Sequence, residues 1–151
     1  MTPEDRELWM RGALRLAEEA ARDGEVPVGC LVLGLDGTVL GRGRNRRERR
    51  ADATAHAELE AIREACAAVG SWRLDGCTLV VTLEPCPMCA GAIINARLSA
   101  LVYGAREPYS GSCGSVIDLF QERYGHAPVV YGGVLAEPCA ALLRGFFQGK
   151  R

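Results

Sequence analysis

Apolar residues in the first two dozen positions recur at the helical period. Leu8, Trp9, Leu16, Ala17 and Ala20 follow Thr2-Pro3-Glu4-Asp5, which offers an N-cap, a proline at the first helical position and acids in the first turn. This pattern predicts a helix ending near Gly24. Residues 28–35 are then apolar, and Val39-Leu40 resumes after Asp36-Gly37, a pair suited to a tight turn, so two strands should form a hairpin. Helical spacing returns over residues 55–69, with Thr54 as a cap and Gly70 as a terminator. Residues 77–83 read as a buried strand, 87–96 as a helix and 101–103 as another strand, an alternation that suggests parallel strands with helical crossovers. A short helix over 115–123, a strand over 129–134 and an amphipathic helix over 139–147 complete the pattern.

Composition narrows this to one domain, residues 1–151, because 48% hydrophobic and 25% charged residues without repeat or linker are ordinary for a single core. A net charge of −1 excludes an overall positive field, so any nucleic acid must be held by a local patch. No stretch of 18 apolar residues occurs, and charged side chains interrupt the N-terminus, which argues against membrane spanning and secretion. Seven cysteines, an odd number and several in apolar runs, suggest a reducing cytoplasm. All but Lys150 of the eighteen basic residues are arginine, which reflects coding bias more readily than phosphate recognition.

Two short motifs carry chemistry. His56-Ala57-Glu58 opens one expected helix, and Pro85-Cys86-Pro87-Met88-Cys89 stands at a strand-to-helix junction. An imidazole and two thiolates suit tetrahedral zinc and leave a fourth position for water, with one ion per chain. The two-residue gap between Cys86 and Cys89 lets both sulfurs face one ion, and a helix N-terminus favours their thiolates. Two thiolates also cancel the charge of Zn²⁺ and weaken it as a Lewis acid, so a nearby proton acceptor becomes necessary. Glu58 is placed for that work and must itself stay unligated. A structural zinc would want a fourth protein ligand, and a redox pair would leave His56 and Glu58 idle.

These motifs resemble the H-x-E…P-C-x-x-C signature of the cytidine/deoxycytidylate deaminase superfamily. Within it, Glu25-Val26-Pro27-Val28-Gly29, Asn45-Arg46, residues 54–58, residues 82–92, Tyr103-Gly104-Ala105-Arg106, Gly114-Ser115 and Gly133-Val134-Leu135 look like the bacterial tRNA adenosine deaminases. The resemblance implies a three-layer α/β/α sandwich around a five-stranded mixed sheet, a homodimer, and conversion of adenosine to inosine in the tRNA anticodon loop. It implies that Asn45 contacts the target nucleoside, that Val28, Leu83 and Pro85 border the base, and that the run from Ala105 through Glu107 to Ser110 touches nucleotide backbone. The chain departs from the family pattern at Ala53, at Glu107-Pro108-Tyr109 and at Gly125-His126.

Arg42, Arg44, Arg46, Arg47, Arg49 and Arg50 crowd six cations around Glu48 on the approach to the site. Of these, Arg46, Arg47, Arg49 and Arg50 form the expected nucleic-acid patch; a solvated loop is the alternative. The leading expectation is a zinc-dependent tRNA adenosine deaminase. The alternatives are a deaminase of a free base or nucleoside such as guanine, adenine or cytosine, and a non-catalytic zinc-stabilised binding module.

Overall fold

A computed structural model describes residues 1–149; Lys150 and Arg151, the end of the expected domain, lie outside them. Thr2 and Asp5 cap the first helix reciprocally, each side chain accepting from the other's backbone N–H. That helix, α1 (Pro3–Arg22), buries Met10, Ala13, Ala17 and Ala20. The hairpin follows as expected. Strands β1 (Gly29–Leu33) and β2 (Val39–Arg44) pair antiparallel, and Asp36 accepts from the Thr38 amide across a turn in which Gly37 takes φ +84°.

The remaining elements are α2 (Arg47–Arg50), α3 (Ala57–Val69), β3 (Thr78–Leu83), α4 (Pro87–Asn95), β4 (Ala100–Ala105), β5 (Val129–Tyr131) and α5 (Ala136–Gln148). The sheet order is β2-β1-β3-β4-β5. The expectation of parallel strands holds only for β3, β4 and β5, because β1 runs antiparallel to both its neighbours, giving the mixed five-stranded sheet.

Alternating side chains divide the core. Cys30, Val32, Leu79, Val81, Leu101 and Tyr103 pack under α3 and α4, whereas Leu31, Leu33, Val80 and Val102 pack with Met10 and Ala13 of α1 and Cys139 of α5. Since β3 is covered on both faces, it reads as an unbroken apolar run. Gly41 and Gly43 let α3 lie directly on β2: a Cβ on either would stand 2.0–2.1 Å from a carbonyl oxygen of Ala61 or Ala57. This close approach fixes the start of α3, and with it His56 and Glu58.

Two local expectations differ from the structure. Thr54 does not cap α3; its amide and hydroxyl both bond Asp52, and His56 occupies the N-cap position. Residues 115–123 form no continuous helix but a 3₁₀ turn, Leu119–Gln121, capped by Asp118. The Leu119 amide, which an α-helix would bond to the Ser115 carbonyl, donates instead to the Ser112 carbonyl, so the i→i−4 ladder does not form.

Candidate metal and substrate site

Two helix N-termini meet near the carboxyl end of β3, the end of a parallel strand where α/β proteins commonly bind ligands. His56 is the N-cap residue of α3 and Cys86 that of α4, while Cys89 lies in the first turn of α4 behind Pro87. His56 Nδ1 stands 3.7 Å from Cys86 Sγ and 3.5 Å from Cys89 Sγ. All three ligand atoms lie within 4.8 Å of one another. A tetrahedral ion with zinc-like bonds to nitrogen and sulfur requires N···S edges of about 3.6 Å, and both N···S edges here match it.

The electrostatics agree with a site built for a cation. The Cys89 hydrogen bond, helped by His56, pulls the Cys86 thiol down to about 4, while that same bond and burial drive Cys89 upward. Side by side without a cation, the two sulfurs cannot both ionise; a divalent ion removes that conflict. The His56 imidazole is held above its usual range, chiefly by its bond to Cys86. Glu58, the second residue of α3, is 4% exposed. Burial lifts its carboxyl to about 7, a value suited to a group that takes and returns a proton near neutrality.

A cavity of about 240 Å³ opens beside these groups. Asn45, Val28, Leu83 and Glu107 line it together with His56, Glu58 and Cys86, as the sequence suggests, and Val26, Arg47, Glu84 and Ser110 join them. Pro85 and Ala105 are not on its wall. The Pro85 carbonyl accepts from the Ser112 amide and the Ala105 carbonyl from the Glu84 amide, and Ala105 borders a separate apolar groove of about 580 Å³. Asn45 joins two loops: its amide donates to the Val26 carbonyl at 3.2 Å and its oxygen accepts from the Arg47 amide at 3.0 Å.

Two buried carboxylates escape sequence reasoning. Glu25, 1% exposed, accepts from the amides of Glu48 and Arg49 at 3.0 and 2.8 Å, tying the arginine segment to the loop after α1. Glu84, 2% exposed, accepts from the amides of Glu107, Cys113 and Ser115 at 3.0–3.1 Å and from the Ser115 hydroxyl. It therefore fixes the segment carrying Glu107 and Ser110, immediately before the turn that carries Cys86. Gly111 is required beside it, because a Cβ there would stand 2.6 Å from the Glu84 carboxyl. The signal available in sequence was a glutamate inside an apolar strand end, which calls for partners.

The arginine patch is narrower than the sequence implies. Arg46 Nε donates to both oxygens of Glu60, Arg50 reaches the same carboxylate at 3.6 Å, and Arg49 pairs with Asp23 at 3.1 Å. Among the described residues, no helix is long and apolar enough to cross a membrane, and all seven cysteines are free.

Comparison with known proteins places this geometry. Residues 4–149 match the model of the MafB19-like deaminases. The chain is 47% identical over 146 residues to a tRNA-specific adenosine deaminase of Bacillus subtilis, covering 96% of this chain and 90% of that one. It is 53% identical over 142 residues to a tRNA(Ile)-lysidine synthase of Deinococcus deserti, where the match covers 94% of this chain but spans only about a quarter (27%) of that protein's length. A solved chain from work on A-to-I editing by tRNA:A34 deaminases at the wobble position of transfer RNA superposes with a TM-score of 0.82 at 44% identity, covering 86% of this chain and 94% of that one. With that family's model matched from α1 to the end of α5, the chain belongs to the MafB19-like deaminases.

Proposed function

We propose that this chain is a single zinc-dependent deaminase domain, holding one zinc per chain, that converts adenosine to inosine at the wobble position of a tRNA anticodon. The observation that carries the chemistry is a buried carboxylate, Glu58, beside a His56–Cys86–Cys89 donor set, with Glu58, His56 and Cys86 on the wall of one cavity. Identity of 47% along nearly the full length of a tRNA-specific adenosine deaminase supports the substrate. The cavity, at about 240 Å³, is smaller than the ~300–1,000 Å³ of drug-sized sites, which suits one extruded base rather than a whole nucleotide.

His56, Cys86 and Cys89 would hold zinc, which when bound supplies Lewis acidity that makes water a nucleophile near neutral pH. Glu58 takes one proton from the water that attacks C6 and delivers it to N1, then takes the proton of the resulting C6 hydroxyl and passes it to the amino group as the C6–N bond breaks. Ammonia leaves and the ring keeps the water's oxygen. Val28 and Leu83 exclude solvent from the base, and Asn45 offers its remaining amide proton to the nucleoside. Glu107 borders the rim, where the departure from the family pattern bears on backbone contacts. Pro85 and Ala105 serve through their carbonyls, which hold the rim segment and Glu84. The face of the 46–50 segment not engaged by Glu60 and Asp23 meets the anticodon loop. The working unit is a homodimer in the reducing cytoplasm, in keeping with seven free cysteines; light scattering on the purified protein tests the stoichiometry.

The deciding experiment incubates purified protein with an adenosine-34 tRNA transcript, with adenosine and with guanine, and measures inosine and ammonia. Inosine in the transcript is expected. Ammonia from guanine with an unchanged transcript overturns the substrate and leaves the zinc chemistry standing; no ammonia from any substrate overturns the enzyme.

A further inference from the structure

The arginines preceding the site divide by their partners. Arg44 bridges Glu19 and Asp23 at 3.3 and 3.1 Å, Arg46 and Arg50 share Glu60, and Arg49 joins Arg44 at Asp23. These four cations share three acids of this chain, which offset most of their charge, and Arg42, which has no ion pair among the described residues, lies on a separate groove beside Trp9 and Leu31. Arg47 is different. Among the described residues it has no ion pair, it is exposed, and it is the one arginine on the wall of the cavity that holds His56, Glu58 and Cys86. Its backbone is anchored, since its amide donates to Asn45 at 3.0 Å and the next two amides donate to buried Glu25. A fixed backbone thus presents an uncompensated guanidinium at the mouth of a cavity sized for one base.

An anion that enters with the base is what such a group would recognise. A neutral nucleobase brings none, whereas a nucleotide within RNA brings a phosphodiester adjacent to its sugar, and guanidinium pairs with phosphate in a bidentate, charge-assisted fashion. In a chain of net charge −1 the long-range field does not gather polyanions, so a local unneutralised cation decides between RNA and free nucleoside. We infer that Arg47 binds the phosphate adjoining the deaminated nucleotide and is thereby the residue that selects RNA over free nucleoside. This rests on the reading of the site as an RNA adenosine deaminase. The paired arginines, by contrast, shape the segment and contribute little to binding.

The test compares wild type, Arg47→Gln, Arg47→Lys and, as a charge-matched control on the outer face of α1, Arg11→Gln. Each is assayed on an anticodon stem-loop RNA, on adenosine 5′-monophosphate and on adenosine, at several salt concentrations, with zinc content and Tm measured alongside. For Arg47→Gln, KM for RNA rises about tenfold with kcat within about twofold, and the salt slope falls by about 0.7, the contribution of one phosphate on a single strand. KM for adenosine changes far less than KM for RNA, zinc content and Tm stay at wild-type values, Arg47→Lys recovers most of the slope, and Arg11→Gln behaves as wild type. An unchanged KM and salt slope overturns the inference, as does an equal loss on adenosine and RNA. If wild type ignores RNA but prefers the monophosphate to adenosine, and Arg47→Gln erases that preference, the phosphate contact stands and the RNA reading falls. If wild type shows no preference for any phosphorylated substrate, both fall.

Discussion

Replacing Glu84 by glutamine isolates what a buried carboxylate does for the rim of this site. The change conserves shape but substitutes an NH₂ donor for one oxygen. One carboxylate oxygen accepts from the Glu107 amide and the Ser115 hydroxyl, the other from the amides of Cys113 and Ser115. Glutamine's single oxygen can keep the Cys113 and Ser115 amides while the Ser115 hydroxyl turns to accept from the new NH₂. The Glu107 amide then loses its acceptor and faces a donor, and the surviving bonds lose their charge. Hydrogen bonds to a charged group contribute about 1.5–3 kcal/mol each, and a buried unsatisfied donor costs about 1–3 kcal/mol. Local relaxation offsets part of the sum, so a loss of about 3–4 kcal/mol is expected, or roughly 10 °C in Tm for a domain of this size.

Its pH dependence gives the test a second arm. Burial on its own would raise the Glu84 carboxyl, but donation from the Ser115 hydroxyl and from the Glu107, Ser115 and Cys113 amides outweighs it, and the group lies below its ordinary value of 4.5. A carboxyl depressed in the folded state contributes stability that is complete above the unfolded value and is lost as pH falls through the folded one. The Tm gap between wild type and Glu84→Gln should therefore be widest at neutral pH and narrow below about 4.5. Thermal melts followed by circular dichroism from pH 7 to pH 3.5, with zinc content matched, read both quantities. A gap under about 1 kcal/mol at pH 7, or one that stays constant into acid, would refute the reasoning.

What the sequence disclosed and what it concealed follow from how local each interaction is. The metal donors were legible because their chemistry is written in residue type and short spacing: Cys86 and Cys89 share one helical turn, and His56 opens another. The hairpin was legible because Asp36-Gly37 has few conformations to choose from. Strand direction at β1 was not, since a helical crossover from β2 leaves open whether β3 joins the free edge of β2 or that of β1, and only the second makes β1 antiparallel to both neighbours. The failure over residues 115–123 has the same origin. Val116, Leu119 and Phe120 carry helical spacing, but the Leu119 amide bonds the Ser112 carbonyl rather than that of Ser115, and Ser115 is held by Glu84, 31 residues away, a contact that no local pattern encodes.

Charge behaved likewise. Six arginines in a short run looked like one patch, yet their partners Glu19, Asp23 and Glu60 sit on α1, just after it and on α3. Folding, not composition, decides which cation remains available. The two hidden carboxylates, Glu25 and Glu84, bind backbone amides 23 to 31 residues away and lock the two segments that border the cavity. Ligands on helix N-termini and substrate contacts on locked loops are thus held by different interactions, so substrate choice can vary while the metal chemistry stays fixed.

That separation makes the remaining variants informative. Glu58→Ala should keep zinc and fold while turnover drops at least about a hundredfold, the scale for losing a positioned acid–base group; near-wild-type rates in a coupled ammonia assay would remove its role. Cys86→Ser and Cys89→Ser should each lose most of the expected single zinc per chain by elemental analysis, because a hydroxyl is a poor substitute for thiolate; full zinc in both variants would contradict the assignment. Gly43→Ala tests the contact that positions the site from beneath. Its Cβ would stand 2.0 Å from the Ala57 carbonyl and 2.8 Å from the Ala61 amide, so α3 must lift from β2 or the strand must bend. Overpacking of this kind costs about 1–3 kcal/mol, and because His56 and Glu58 ride on the start of that helix, zinc affinity should fall together with Tm. Gly91→Ala in α4, where no atom lies within 4 Å of the new Cβ, should instead gain about 0.5–1 kcal/mol from helix propensity alone. If Gly43→Ala melts and binds zinc like wild type, the close seating of α3 on the sheet is not what places the site.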